Sequence, residues 1–140
     1  MRFLDTNILV YAVDERDEHK FAVATSILAD ALDNNIEYSI AVQTLSEFTN
    51  VAIGKLKLPS AEVADFVRVF SDISTVRPDF GIVVRGIEIK NRYDIQFYDA
   101  MMLAAAERVG ADVFYSEDLS DGQVYSGVKV LNPFKKTLRS

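Results

Sequence analysis

The chain has 140 residues, 49% of them hydrophobic and 26% charged, no cysteine, and a formal net charge of −6. This is material for one domain that buries about 68–70% of its unfolded surface. The absence of cysteine excludes disulfides and thiolate metal sites and fits a reducing cytoplasm, no apolar run approaches the roughly 18 residues of a membrane span, and the acidic balance argues against nucleic-acid binding unless clustered acids hold a cation.

In chain order, Arg2-Phe3-Leu4 reads as a short strand ending at Asp5, and an acid this early does not fit a signal peptide. Thr6 and Asn7 can cap a helix that begins with Ile8-Leu9-Val10-Tyr11. Asp14 to Glu18 is a charged connection, and His19 to Leu32 carries helical spacing through Phe21, Ala24, Ile27, Leu28 and Ala31. His19, the single histidine, cannot form a histidine metal cluster and reads as a surface residue. Tyr38 to Val42 is β-branched and apolar enough for a second strand. Gln43 to Leu56 follows as a helix with Leu45, Phe48, Ala52 and Leu56 in a stripe, and it places Glu47 in its first turns.

Gly54 to Pro59 is a basic connection carrying Lys55 and Lys57. Ser60 caps a helix expected to run to about Ile73, in which Val63, Phe66, Val67, Val69, Phe70 and Ile73 form an apolar arc of about 160°, broader than one core-facing stripe needs. Thr75-Val76-Arg77-Pro78 allows a short strand, and Asp79-Phe80 leads into a helix ending near Tyr93. Asp99 then opens a run of helical composition, Met101 to Ala106, which Gly110 stops. Val113-Phe114-Tyr115 reads as a buried strand that ends in Ser116-Glu117-Asp118, with a turn at Asp121-Gly122. The last strand is Val128 to Leu131, closed by Asn132-Pro133, and the tail with Lys135, Lys136 and Arg139 is expected to be solvated.

This order predicts an α/β protein, a three-layer α/β/α sandwich with a mostly parallel central sheet, in a single domain over residues 1–140. In such a layer, strand C-termini and helix N-termini share one edge, where ligands usually sit. That edge should receive Asp5, Glu47, Asp99 and Asp118, with Asp121 as a fifth candidate. The plainer alternatives are that Asp5 or Thr6 is only a helix cap and Glu47 a solvated side chain. Carboxylates sharing a cleft repel one another, which raises some of their pKa values or recruits a cation. Oxygen ligands without cysteine or a histidine pair select a hard ion, Mg²⁺ or Mn²⁺. An ion of this kind can make a hydroxide nucleophile and neutralise a phosphodiester, so the set suits phosphoryl transfer and nucleic-acid hydrolysis.

These residues resemble the PIN domain, and within it the toxin ribonucleases of the VapC type. The resemblance rests on Asp5-Thr6-Asn7 after the first strand, Glu47 early in a helix, and Asp99-Ala100 after Phe97-Tyr98. Tyr115-Ser116-Glu117-Asp118-Leu119 and the closing Asn132-Pro133-Phe134 complete it, and it covers nearly the whole chain. It implies a Mg²⁺-dependent endoribonuclease, with Mn²⁺ as a substitute ion, in the role of a type II toxin. By the same resemblance Asp5, Glu47, Asp99 and Asp118 are catalytic. Asp5, Asp99 and Asp118 bind metal, with Glu47 and Asp121 as further candidates, and Thr6, Asn7 and Ser116 orient the carboxylates. The implied partners are an RNA substrate, an antitoxin protein and a second copy of the chain, with no membrane. The arc of Phe66 to Ile73, with Val51 and Ile53, is the expected homodimer surface. Two other phosphoryl-transfer families fit less well. A haloacid-dehalogenase phosphatase needs an Asp at position 7, which is Asn, and a phosphoreceiver needs an acceptor Asp at the end of a central strand, where Val42-Gln43 stands. A catalytically silent PIN module that binds RNA or protein, or an RNA-processing nuclease outside toxin–antitoxin biology, is the remaining alternative.

Overall fold

A computed structural model describes residues 1–135 of the chain; Lys136 and Arg139 of the expected solvated tail lie outside the described residues. The elements in order are β1 (Arg2–Leu4), α1 (Thr6–Tyr11), α2 (Glu18–Leu32), β2 (Tyr38–Ala41), α3 (Val42–Gly54), α4 (Ser60–Phe70), β3 (Ser74–Val76), α5 (Phe80–Tyr93), α6 (Phe97–Arg108), β4 (Val113–Tyr115), β5 (Val124–Tyr125) and β6 (Val128–Leu131). The six strands form one sheet in the order β3-β2-β1-β4-β6-β5. Every pairing is parallel except β5 with β6. The chain leaves β1 toward β2 on one side and leaves β4 toward β6 on the other. The order therefore reverses between β1 and β4, and their carboxyl ends open the crevice in which ligands bind in sheets of this kind.

Strand alternation builds the two cores. Phe3 and Phe114 point to one face and stack on each other with centroids 5.6 Å apart. Leu4, Ile40 and Tyr115 face the other side, where α1 to α4 pack. On the first face α6 is almost wholly enclosed: Ala100 and Met102 to Ala106 are all buried. Its small residues let α5 lie close, and Gly86 is the contact point. A Cβ there would stand 3.0 Å from Met101 Cγ and 3.4 Å from Met101 Cα. Gly110, with φ +73°, takes the left-handed conformation just past the end of α6, as its place in the sequence predicts.

Four expectations need adjustment. Pro59, not Ser60, precedes the first turn of α4, and α4 stops at Phe70, where the ladder tightens and the Asp72 and Ile73 N–H groups bond the Val69 and Phe70 carbonyls three residues back. The broad arc of α4 is mostly internal packing: Phe70 and Ile73 are buried, and Phe66 and Phe70 bracket the buried Phe48 edge-to-face at 6.4 and 5.2 Å. Only Val69 and, on α3, Ile53 remain exposed from the expected surface. A larger apolar stripe runs along α5 instead, where Phe80, Val83, Val84 and Ile87 are all exposed. His19 is half-buried, and its Nε2 lies 2.8 Å from the Phe134 carbonyl. Strand β5, two residues long, carries no run that a sequence pattern could register.

Candidate active site

Asp5 sits one residue past β1 and is the N-cap of α1. Its backbone N–H continues the ladder onto the Tyr115 carbonyl at 3.0 Å, so the ends of β1 and β4 are held level. Its Oδ1 accepts the Thr6 N–H at 2.8 Å and its Oδ2 accepts the Ser116 hydroxyl at 2.6 Å. Asp5 is thus a cap, as the plainer alternative has it, but only one of its oxygens does that work. Burial first, and then the charges of Asp118 and Asp99, push its carboxyl up to about 7, against the two hydrogen bonds that favour the ionised form. Desolvation outranks the mutual repulsion that the sequence pattern emphasises.

Ser116 is fully buried and ties two acids together, because its oxygen also accepts the Asp118 N–H at 3.0 Å. The Asp118 carboxylate receives Asn7 Nδ2 at 3.2 Å. Glu47 lies in the second turn of α3 and accepts Gln43 Nε2 at 2.6 Å and the Thr6 hydroxyl at 3.3 Å. Thr44 anchors the start of that helix by accepting the Ala41 N–H at 3.0 Å. Asp99 lies in the first turn of α6, where Gln96 accepts its N–H at 3.0 Å. Its carboxyl is also raised, first by burial and then by Asp118 and Glu47. These couplings put Asp5, Glu47, Asp99 and Asp118 in one electrostatic neighbourhood, and Thr6, Asn7 and Ser116 hydrogen-bond to its acids.

Asp121 is not brought to this group. Its oxygens accept the Asn132 N–H at 2.8 Å and Lys135 Nζ at 3.2 Å, and the Asn132 bond, then Lys135, holds its carboxyl below the usual range. It closes the turn that joins the β4 and β6 ends. Sequence reasoning missed three neighbours. Gln43 orients Glu47 and also donates to the Tyr98 carbonyl at 3.2 Å. Glu117, between Ser116 and Asp118, is clamped by the Tyr11 hydroxyl at 2.6 Å and Lys20 Nζ at 2.8 Å. Lys20 lies 4.7 Å from the Tyr11 ring centre, and its ammonium is held well above the usual lysine range by Glu117 first and Tyr11 second.

The donors in this neighbourhood are all oxygens, which in kind fit a hard divalent cation and not a thiophilic one. Asn7 Oδ1 adds a buried oxygen without a hydrogen-bond partner among the described residues. As placed, however, no three His, Cys, Asp or Glu side chains among the described residues are arranged to hold one ion. Separate partners account for this spread: Asp118 leans to Asn7, Glu47 to Gln43, and Asp5 spends both oxygens on Thr6 and Ser116.

The same fold occurs in solved toxins. Mycobacterium tuberculosis VapC20, described as a toxin that cleaves the sarcin–ricin loop, aligns with a TM-score of 0.69 and 16% identity over 84% of this chain and 90% of that one. A toxin–antitoxin complex from Klebsiella pneumoniae aligns with a TM-score of 0.69 and 18% identity over 95% of this chain and 98% of that one. DNA-bound VapBC from Salmonella typhimurium gives a TM-score of 0.66 and 18% identity over 92% and 95%. No curated protein matches the chain by sequence. No helix among the described residues is long and apolar enough to cross a membrane. The PIN domain family matches residues 2–120, from β1 through the loop that carries Asp118. With that match added to the sheet order and the acid-bearing edge, the chain belongs to the PIN domain family.

Proposed function

We propose that the chain is a metal-dependent endoribonuclease, with Mg²⁺ or Mn²⁺ as its ion, and that it acts as the toxin of a type II toxin–antitoxin pair. The observation that carries this is the delivery of Asp5, Glu47, Asp99 and Asp118 by four different elements to the crevice between β1 and β4. The toxins and toxin–antitoxin complexes that share the fold support the biological role. Asp5, Asp99 and Asp118 would hold the ion, with Glu47 beside them. When bound, such an ion supplies an activated water and neutralises charge on the phosphodiester.

The chain's own residues set the stage for that chemistry. Thr6 and Ser116 hold Asp5 with both oxygens fixed, so it cannot swing into solvent. Asn7 and the Ser116 hydroxyl position Asp118 from its side chain and its backbone. The Oε2 of Glu47 carries the longer of its two bonds, 3.3 Å to Thr6, and is the oxygen available to take a proton from the attacking water. A homodimer and an antitoxin belong to the same proposal. A Lys or Arg from an antitoxin segment near Asp5 and Asp99 would block the site by charge alone.

Purified protein should cleave RNA with Mg²⁺ or Mn²⁺ and not in EDTA. Asp99→Asn should stay folded and lose at least about 100-fold in rate, since an amide is a poor ligand of nearly the same shape. Equal cleavage in EDTA and Mg²⁺ would end the metal mechanism, and no cleavage under any ion would leave the silent PIN module.

A further inference from the structure

Two cavities adjoin the acids, and Glu47 lines both. One, of about 360 Å³, is lined by Val10, Val51 and Leu56 together with Asp14, Asp118, Glu47 and the exposed Lys55. The other, of about 430 Å³, is lined by Asp99, Tyr98, Gln96 and Ser46, and Glu47 lines it as well. Each is at the small end of the range for ligand pockets, about 300–1,000 Å³, the scale of a single nucleotide.

Their chemistry is complementary. Tyr98 is 57% exposed, yet its segment is fixed: Gln43 donates to its carbonyl at 3.2 Å, and Phe97 braces its ring edge-to-face at 5.4 Å. A rigid aromatic ring with a free surface beside carboxylates is a stacking platform for a base, and stacking tolerates any sequence. Across the acids, Arg16 is committed to Asp14 through two 2.8 Å bonds. Among the described cations lining the first cavity, Lys55, in the basic Gly54–Pro59 connection, is the one outside a salt bridge and can meet a phosphate, in a chain whose net charge of −6 otherwise repels one.

We propose that a single strand of RNA crosses the acids from one cavity to the other, with one base stacked on Tyr98 and the neighbouring backbone phosphate on the far side held by Lys55. The inference deepens the ribonuclease reading and rests on it for the identity of the strand. Each cavity accepts one unpaired nucleotide, so a duplex does not fit until it is opened.

The test measures binding with Ca²⁺ in place of Mg²⁺, so that an ion screens the acids, by fluorescence anisotropy of a labelled single-stranded RNA hexamer on the full chain, read before any cleavage. Tyr98→Ala should weaken binding about 5- to 100-fold, and Tyr98→Phe should restore it. Lys55→Gln should lower the slope of log affinity against log salt by about 0.7. A duplex of the same sequence should compete poorly. Both substitutions lie at exposed side chains, and circular dichroism should be unchanged. Unchanged binding in Tyr98→Ala and Lys55→Gln by a wild type that cleaves RNA, or equal competition by the duplex, overturns the strand path alone. Tyr98-dependent binding by a protein that fails to cleave RNA with any ion overturns the nuclease reading alone. A wild type that binds no single-stranded RNA overturns both.

Discussion

The crevice has a strand wall and a helix wall, and the two treat their acids differently. On the strand wall Asp5 is 5% exposed, and both its oxygens are occupied by groups from its own turn and from the β4 end. On the helix wall Asp99 is only half-buried, and Gln96 bonds its backbone N–H. The strand wall fixes geometry at the expense of desolvating a carboxylate; the helix wall leaves its acid partly exposed, with no side-chain bond to its carboxylate among the described residues. Both carboxyls are raised, Asp5 more, because burial is the first cause in each and is deeper at Asp5.

The largest expected effect tests that difference. Asp5 has a folded pKa of about 7 against 3.8 unperturbed, so the folded state keeps its proton more tightly than the unfolded state. Its contribution is therefore fully present below about pH 4 and is lost as pH rises toward and through 7, a few kcal/mol in all at about 1.4 kcal/mol per unit. In EDTA, urea unfolding across that window should show stability falling with pH. Asp5→Asn should flatten most of the fall and Asp99→Asn less. Equal flattening by the two would mean that the walls do not differ.

Ser116→Ala attacks the strand wall without touching a carboxylate. It removes the donor to Asp5 and the acceptor of the Asp118 N–H in one step. A loss of about 1–3 kcal/mol in thermal unfolding is expected, because the alanine leaves buried polar groups unpaired. Metal affinity should fall about 10- to 100-fold with it. A serine that could be removed with neither loss would leave the strand wall no more organised than the helix wall.

Metal linkage sharpens the comparison from the other side. If the dissociation constant is near millimolar, 10 mM Mg²⁺ adds about 1.4 kcal/mol by mass action, or roughly 3–6 °C in melting temperature for a domain of this size. Asp5→Asn and Asp99→Asn should each shrink the shift, since an ion held between the walls needs both. A melting curve blind to Mg²⁺ and Mn²⁺ at matched ionic strength would count against shared ligation.

The smallest expected effect lies outside the crevice. Val69 is 47% exposed on α4, so Val69→Asp should change monomer stability by less than about 0.5 kcal/mol. If Val69 lies in the proposed dimer contact, light scattering should show wild-type dimer and variant monomer, both folded. The stripe on α5 offers the control. Dissociation by Val84→Asp and not by Val69→Asp would move the contact to that helix.

Much of the site was legible because it follows strand and helix ends. Asp5, Asp99 and Asp118 each sit at such a boundary and Glu47 one turn inside one, and patterns of apolar residues locate boundaries well. Asp118 and Asp121 show the limit. They are three residues apart in one loop, and only the pairing of β4 with β6, which puts Asn132 beside Asp121, sends one acid to the crevice and the other to a turn. The clamp of Tyr11 and Lys20 on Glu117 spans about a hundred positions of chain and has no local signature. The width of the α4 arc is read differently for a related reason: part of it packs inside the domain, where Phe66 and Phe70 meet Phe48.

By itself, then, the sequence determined the element types, the parallel sandwich and the edge at which the acids emerge. These depend on local periodicity and on the fixed handedness of β-α-β connections. Only the tertiary structure decided which oxygen of each acid is occupied, how far burial raises Asp5, and which apolar faces stay uncovered. Those quantities depend on distances between residues far apart in the chain and on the water excluded between them, and neither is written in any local stretch of residues.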